Sequence, residues 1–225
     1  MYYEKIKKKI DKNTAAVFLT HAQGFNGLNN DLLKYLKQKK IPLIEDVCES
    51  HGATHNNKKL GSLGLISNFS FYYAHHLSTI EGGMVCTNEK KIFFFSKIIR
   101  SHGMVRESGN KTFENKMIKK NPKLSPKFIF LYQGYNFRNN EIGAIIGLSQ
   151  LKRLNSNNII RTKNFKHFLK NINSEVIKDL VTFKNQSDII VTTARIFGRP
   201  APITIPASAV STFRSGTVIV DMNAD

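Results

Sequence analysis

The sequence predicts an α/β fold with a mixed, mostly parallel sheet flanked by helices, and two observations carry that prediction. Short β-branched apolar runs alternate with amphipathic helical stretches at the spacing of a strand–helix–strand unit. The runs also end in polar or acidic residues, as buried parallel strands do where they emerge from a sheet.

Ala15 to Thr20 (AAVFLT) reads as the first strand. The loop HAQGFNGLNN follows, then DLLKYLKQKK, whose Leu32, Leu33, Tyr35 and Leu36 mark one helical face. Asp31 near its start and lysines at its end suit the helix dipole. IPLIED gives a second strand, so the unit is βαβ with a right-handed crossover and parallel strands. Further strands are expected over Ile66 to Tyr73 and Gly83 to Thr87, with a helix over Glu89 to Arg100. Residues Ser101 to Pro126 are polar, Lys/Asn-rich and weakly patterned, and read as an exposed loop. Asn140 to Leu154 is a helix whose Ile142, Ile145, Ile146, Leu148 and Leu151 face a core or a partner, and helical pattern resumes from Ile159 to about Ile172.

Composition bounds the function. At 225 residues, 41% hydrophobic and 22% charged, the chain is globular and long enough to bury a substantial core. No stretch approaches a membrane span, and the basic start MYYEKIKKKI lacks the apolar run of a secretory signal. Two cysteines, Cys48 and Cys86, are too few for a disulfide framework, so the chain is expected to be cytoplasmic. The net charge of +18 is spread over helices and loops rather than gathered on one basic-aromatic face. That distribution argues against nucleic acid as a partner, while still favouring an anionic small substrate. Lysine disappears after Lys184, and Thr, Ala, Val, Ser and Pro dominate the rest. Residues 173–225 are therefore set apart from a 1–172 domain as an atypical tail. Either a β-rich appendage or a translated out-of-frame or vector segment, non-native or disordered, fits them; the second reading is adopted and the tail is left out of the functional argument.

The chemistry concentrates in IPLIEDVCESHGATHNNKKLGSLG and ISNFSFYYAHHLSTIEGGMVCTN. Asp46 ends a parallel strand, where α/β sheets place ligand-binding groups. A buried carboxylate there needs a cationic or hydrogen-bonding partner. Gly52, Gly61, Gly64, Gly82 and Gly83 offer tight turns or close backbone approach, and Ser70 and His75 follow on a strand and its turn. On pattern alone, a blander account stands: Asp46 a loop cap, Ser70 a core hydroxyl, the histidine pair surface residues. His51 and His55 have the spacing of a metal pair but bracket Gly52 in a turn-rich stretch, so no metal site is expected.

EDVCESHGA, the GSLG turn, FSFYYAHHLSTIEGGMV, RSHGM and GYNFRNNEIGAIIGLSQL, in that order, resemble the DegT/DnrJ/StrS sugar aminotransferases and dehydratases from about Ile6 to Ile172. The resemblance implies part of the large domain of a fold-type-I enzyme that uses pyridoxal or pyridoxamine phosphate. It implies that Asp46 pairs with the cofactor's pyridine nitrogen, which keeps the ring protonated as an electron sink. Glu49 would lie near the ring's phenolic oxygen, and Ser70 would bond the cofactor phosphate. Asn136 would reach the phosphate in a neighbouring subunit, which implies a homodimer with a shared site. Arg138 is assigned to the substrate or the amino donor. Where aminotransferases of the family carry the lysine that bonds covalently to the cofactor, FSF plus three residues leads here to His75. An imidazole cannot replace that bond but can move protons near neutral pH. The change resembles the dehydratase branch, which removes the 3-hydroxyl of nucleotide 4-keto-6-deoxy sugars for deoxysugar and O-antigen synthesis. One type in that branch holds an iron–sulfur cluster on four cysteines; Cys48 alone matches, so the cluster-free type, with glutamate as amino donor, is expected. Family members are much longer, and the chain resembles a fragment holding part of a cofactor site. A sugar-nucleotide aminotransferase relative and a non-catalytic subunit are the alternatives.

Overall fold

The computed structural model describes residues 2–171, 189–192 and 218–221. The chain divides into two compact units, residues 1–155 and 156–225.

The first unit is built on the expected βαβ core. Strand β1 (Val17–Thr20) runs into helix α2 (Asn30–Lys39) and returns as β2 (Leu43–Asp46), parallel to β1, with Val17 opposite Leu43 and Thr20 opposite Asp46. Asn29 caps α2 by accepting from the Leu32 N–H at 2.7 Å. Lys40 ends the helix in the left-handed region at φ 56°. Leu32 and Leu36 face inward and join Leu19, Leu28, Leu43, Val47 and Leu60 in the main core. Full burial of each leucine contributes about 1.5–3 kcal/mol. Helix α1 (Tyr2–Lys9) adds Tyr3 and Ile6 to this face, with the Tyr3 and Tyr35 rings edge to face at 5.9 Å.

After β2 the chain makes a small hairpin, β3 (Thr54–His55) and β4 (Lys58–Lys59). Asn56 and Asn57 at φ 48° and 62° supply the left-handed turn that a two-residue hairpin needs. Strand β5 (Ile66–Ser70) then pairs in parallel with β2, and β6 (Gly83–Cys86) pairs antiparallel with β5. The sheet order is β1-β2-β5-β6, three parallel strands and one antiparallel edge, as expected for a mixed, mostly parallel sheet.

Helix α3 (Lys90–Ile99) follows. The stretch Ser101 to Pro126, expected as an exposed loop, is instead folded and partly buried. It holds a 3₁₀ turn at Val105–Ser108 and helix α4 (Lys111–Lys120), and Ser101, Met104, Val105, Ser108 and Glu114 are buried. Asn110 caps α4 by accepting from the Phe113 N–H at 3.0 Å, and Phe113 packs on Phe94 at 4.9 Å. Its apolar positions are only Phe113, Met117 and Ile118, all half-buried, and its buried residue is the polar Glu114, so its apolar period is short.

Helix α5 (Glu141–Asn171) is one 31-residue helix rather than two helical patterns. Its sequence face was expected to meet a core or a partner. Within the chain it does not meet a core: Ile142, Ile145, Leu148 and Leu151 are exposed and Ile146 is half-buried, while the glycine side packs on the rest of the first unit. A Cβ on Gly147 would lie 3.1 Å from Thr79 Cγ2, and one on Gly143 would lie 3.7 Å from Thr79 Cβ. The helix therefore approaches the loop before β6 through backbone rather than side chains. In the second unit, β7 (Ile189–Thr192) and β8 (Val218–Asp221) pair in parallel. The reading of residues 173–225 as non-native or disordered otherwise lies outside the described residues.

Candidate active site

Side-chain alternation gives the sheet two different faces. Val17, Leu19, Leu43 and Phe69 pack on the core side. Thr20, Asp46 and Asn68 form a registered row across three strands on the other. Asp46 sits half-buried at the C-terminal end of β2, where the sequence placed it. Its Oδ1 accepts from Asn68 Nδ2 at 2.9 Å and from the Cys48 N–H at 3.1 Å; its Oδ2 accepts from Thr20 Oγ1 at 3.3 Å.

The fully buried carboxylate of this strand is the neighbouring Glu45, on the core face. Glu45 accepts from the N–H groups of Gly61, Leu63 and Gly64 at 2.9, 2.8 and 2.6 Å, and from His21 Nε2 at 3.2 Å. Burial alone would raise its pKa, but the His21 bond and the three backbone donors outweigh that and hold it below the ordinary value. Glu45 thus pins the GSLG turn against the sheet. Gly64 makes this possible, since a Cβ there would meet the Leu43 carbonyl oxygen at 2.6 Å. His21 also accepts from the Gly27 N–H at 3.1 Å, and Ser50 Oγ donates to the His21 carbonyl, so both sheet-end loops tie into one network.

Ser70 closes β5 one strand over and accepts from the Tyr72 N–H at 3.3 Å. The turn after it carries His75, half-buried, whose N–H donates to the Tyr72 carbonyl at 3.0 Å. Behind His75 stands His51, stacked on Phe69 at 5.9 Å and 11°, tilted on Phe71 at 5.8 Å, and edge-on to His75 and His76 at 6.2 and 6.4 Å. Burial, then the neighbouring His75 and His76, lower its pKa to about 4, against a weaker opposing effect of the Ser70 carbonyl. His51 is therefore a neutral wall at neutral pH. His55 belongs elsewhere: its Nδ1 accepts from Asn26 at 2.8 Å and its Nε2 donates to Asn30 at 2.9 Å, bracing the hairpin. Among the described residues no His/Cys/Asp/Glu group is arranged to hold a metal.

Glu49 accepts from the Gln23 N–H at 2.6 Å, where Gln23 has φ 54°, so it ties down the loop after β1 at the same sheet end. Cys48 receives a second Asn68 N–H at 3.2 Å, and burial with the adjacent Asp46 pushes its thiol up to about 12. Asn136 and Arg138 stand apart from this group. They are exposed and paired with each other, Arg138 Nε donating to Asn136 Oδ1 at 3.0 Å. Their segment is held by Ser101, which bridges Asn136, and by the Tyr135 and Phe137 N–H bonds to Ile99 and Arg100 at 2.8 Å.

The structure thus brings Asp46, Glu49, Ser70 and His75 to one sheet end and leaves Asn136 and Arg138 on a separate exposed segment. Sequence reading missed Glu45, Asn68 and the His51 cage. For Glu45 the strand period held the signal, because adjacent residues of a strand must face opposite ways.

A carboxylate, a hydroxyl and an imidazole at or just beyond the C-terminal ends of a mostly parallel sheet make this sheet end the candidate small-ligand site of an α/β protein. The chain belongs to the DegT/DnrJ/EryC1/StrS aminotransferase family, whose sequence profile matches residues 1–201. It is 36% identical over 168 residues, 74% of this chain and 42% of the relative, to GDP-4-keto-6-deoxy-D-mannose 3-dehydratase of Escherichia coli. A crystal structure of the E. coli dehydratase with bound hydrated pyridoxal phosphate aligns at TM-score 0.64 and 33% identity, covering 77% of this chain and 44% of that one. A mutant form with bound GDP-perosamine aligns at TM-score 0.64 and 32% identity, covering 77% of this chain and 45% of that one. Sugar transaminases match as well: UDP-4-amino-4,6-dideoxy-N-acetyl-beta-L-altrosamine transaminase of Helicobacter pylori is 32% identical over 148 residues, 66% of this chain and 35% of the relative. The chain spans less than half the length of these relatives.

Proposed function

We propose that this chain carries part of the site of a pyridoxal/pyridoxamine phosphate-dependent nucleotide-sugar 3-dehydratase of deoxysugar and O-antigen synthesis. The observation that carries the reading is His75. It occupies the turn after Ser70, where the aminotransferases of the family carry their covalent lysine, and the strand that Ser70 closes is paired with the one that ends in the half-buried Asp46.

The donor set fits such a cofactor. Asp46 offers a carboxylate with one oxygen held only by the 3.3 Å Thr20 contact, matching a protonated ring nitrogen. Ser70 offers a hydroxyl to a phosphate, and Glu49 stands nearby to face the ring's oxygen side. When bound, the cofactor supplies an electron sink and an amino group that engages the sugar's 4-keto carbon. His75 cannot anchor it covalently. With that group bound, a ring nitrogen of His75 would serve as the base that accepts a proton and would then give one to the departing 3-hydroxyl, which would leave as water. The His51 wall, neutral and aromatic-lined, excludes water behind His75 without adding a competing charge. The substrate is a nucleotide-linked 4-keto-6-deoxyhexose, as the similarity to the GDP-sugar dehydratases supports, with glutamate as amino donor. Asn136, exposed and apart from the rest of the site, serves a neighbouring subunit's phosphate in a homodimer, with Arg138 toward the substrate or donor.

Incubation of the chain with pyridoxamine phosphate, glutamate and GDP-4-keto-6-deoxymannose, read by mass spectrometry, tests the reading. A 3-deoxy product, lost in His75→Asn, is expected. Amino transfer to the sugar with the 3-hydroxyl retained would point instead to an aminotransferase.

A further inference from the structure

Asp46 is held by a side chain to which no role has been given. Asn68 lies opposite Asp46 in the β2–β5 register, on the same face of the sheet. Both N–H groups of its amide are used, one toward Asp46 Oδ1 at 2.9 Å and one toward Cys48 Sγ at 3.2 Å. Rotating the amide by half a turn would set its oxygen against the carboxylate, so the two bonds together fix the amide plane. The Cys48 N–H at 3.1 Å is the second donor to Oδ1. One carboxylate oxygen therefore takes two donors, while Oδ2 receives the longer Thr20 contact at 3.3 Å.

We propose that Asn68 is a positioning residue for the ligand site: it clamps Asp46 Oδ1 and so presents Oδ2 to the ring nitrogen of a pyridoxal- or pyridoxamine-type cofactor. This rests on the cofactor reading above. A carboxylate free to rotate between Thr20 and Asn68 would spend its better acceptor oxygen on whichever protein donor it met. Locking Oδ1 keeps the strongest remaining acceptor aimed outward from the sheet end, where a charge-assisted bond to a protonated ring gains most from fixed geometry. The neutral Cys48 thiol completes the clamp as an acceptor that places no second negative charge beside Asp46.

The test compares Asn68→Thr with Asn68→Val in the full chain. The two side chains have nearly the same shape, and only Thr can donate a hydrogen bond, as Thr20 does from the strand on the other side. Two quantities are read: the Kd for pyridoxamine phosphate, and the pH at which the bound cofactor's absorption changes as its ring nitrogen loses a proton. For Asn68→Val, a Kd raised about tenfold, the order of one hydrogen bond to a charged group, and a lower titration pH are expected, with Asn68→Thr restoring much of both. A purely structural asparagine would alter melting temperature and leave the titration pH in place. Wild-type binding that Asn68→Val leaves unchanged in Kd and titration pH overturns the proposal alone. Should the valine variant not fold, an Asn68→Thr titration falling below that of an Asn68→Ser variant with the same donor overturns it equally. A wild-type chain that binds neither cofactor form overturns the cofactor reading, and this proposal with it.

Discussion

Lowering the pH should unload stability through one residue, His51. The residue is only 5% exposed, its ring stacked on Phe69 and edge-on to the imidazoles of His75 and His76. Its pKa falls from 6.5 to about 4 because burial, and then its two histidine neighbours, disfavour the charged ring. The unfolded chain therefore takes up a proton near pH 6.5 that the folded chain refuses until about pH 4. Stability from this group is complete above the unfolded value and is lost as the pH falls through that window. At about 1.4 kcal/mol per pH unit the loss is at most about 3 kcal/mol, a large share of a typical domain's stability. Glu45 does not blur the window, since its lowered pKa places its own loss below the ordinary carboxylate value of 4.5. The assay is urea unfolding followed by circular dichroism at steps between pH 7.5 and 4.5, for wild type and His51→Leu. The wild-type curve should drop relative to the variant as pH falls. Parallel curves would refute a neutral, buried His51.

Other consequences are equally direct. Glu45→Gln removes the charge that three backbone N–H groups and His21 converge on; we expect a loss of about 2–4 kcal/mol in urea unfolding at neutral pH. Gly147→Val sets a β-branched side chain against Thr79, 3.1 Å from where its Cβ would stand; about 1–3 kcal/mol of destabilisation should appear in the same assay. Cys48, its thiol pushed up to about 12, should be alkylated far more slowly in the native chain than in urea at mildly alkaline pH. Labelling of native Cys48 at the denatured rate would contradict the burial and the Asn68 contact.

How far the sequence could be read depended on how strongly each element declares its period. The β1–α2–β2 unit was plain, because branched apolar runs flank an amphipathic helix with four apolar positions on one face. The positions of Asp46 at the end of β2 and Ser70 at the end of β5 were also legible, since strand ends declare themselves without knowledge of packing. Helix α4 was hidden: its apolar positions are only Phe113, Met117 and Ile118, all half-buried, and its buried residue is the polar Glu114, so lysines outnumber the signal. In α5 the contact inside the chain was hidden, because close packing on Thr79 is made by Gly143 and Gly147, which register as gaps in a hydrophobic pattern. The division of labour between Glu45 and Asp46 needed the tertiary arrangement, which shows that the GSLG turn folds back under β2. Asn68 looked like any polar strand residue until the register set it opposite Asp46.

The proposed function requires a noncovalent cofactor site organised by Asp46, with no lysine at position 75. A spectroscopic titration of the full chain with pyridoxal and pyridoxamine phosphates, beside Asp46→Asn and His75→Lys, tests this most directly. Saturable binding that Asp46→Asn weakens is expected. Gel filtration should strip pyridoxal phosphate from wild type, while borohydride should fix it only on His75→Lys. Binding indifferent to Asp46→Asn, or covalent fixation on the wild-type chain, would contradict it.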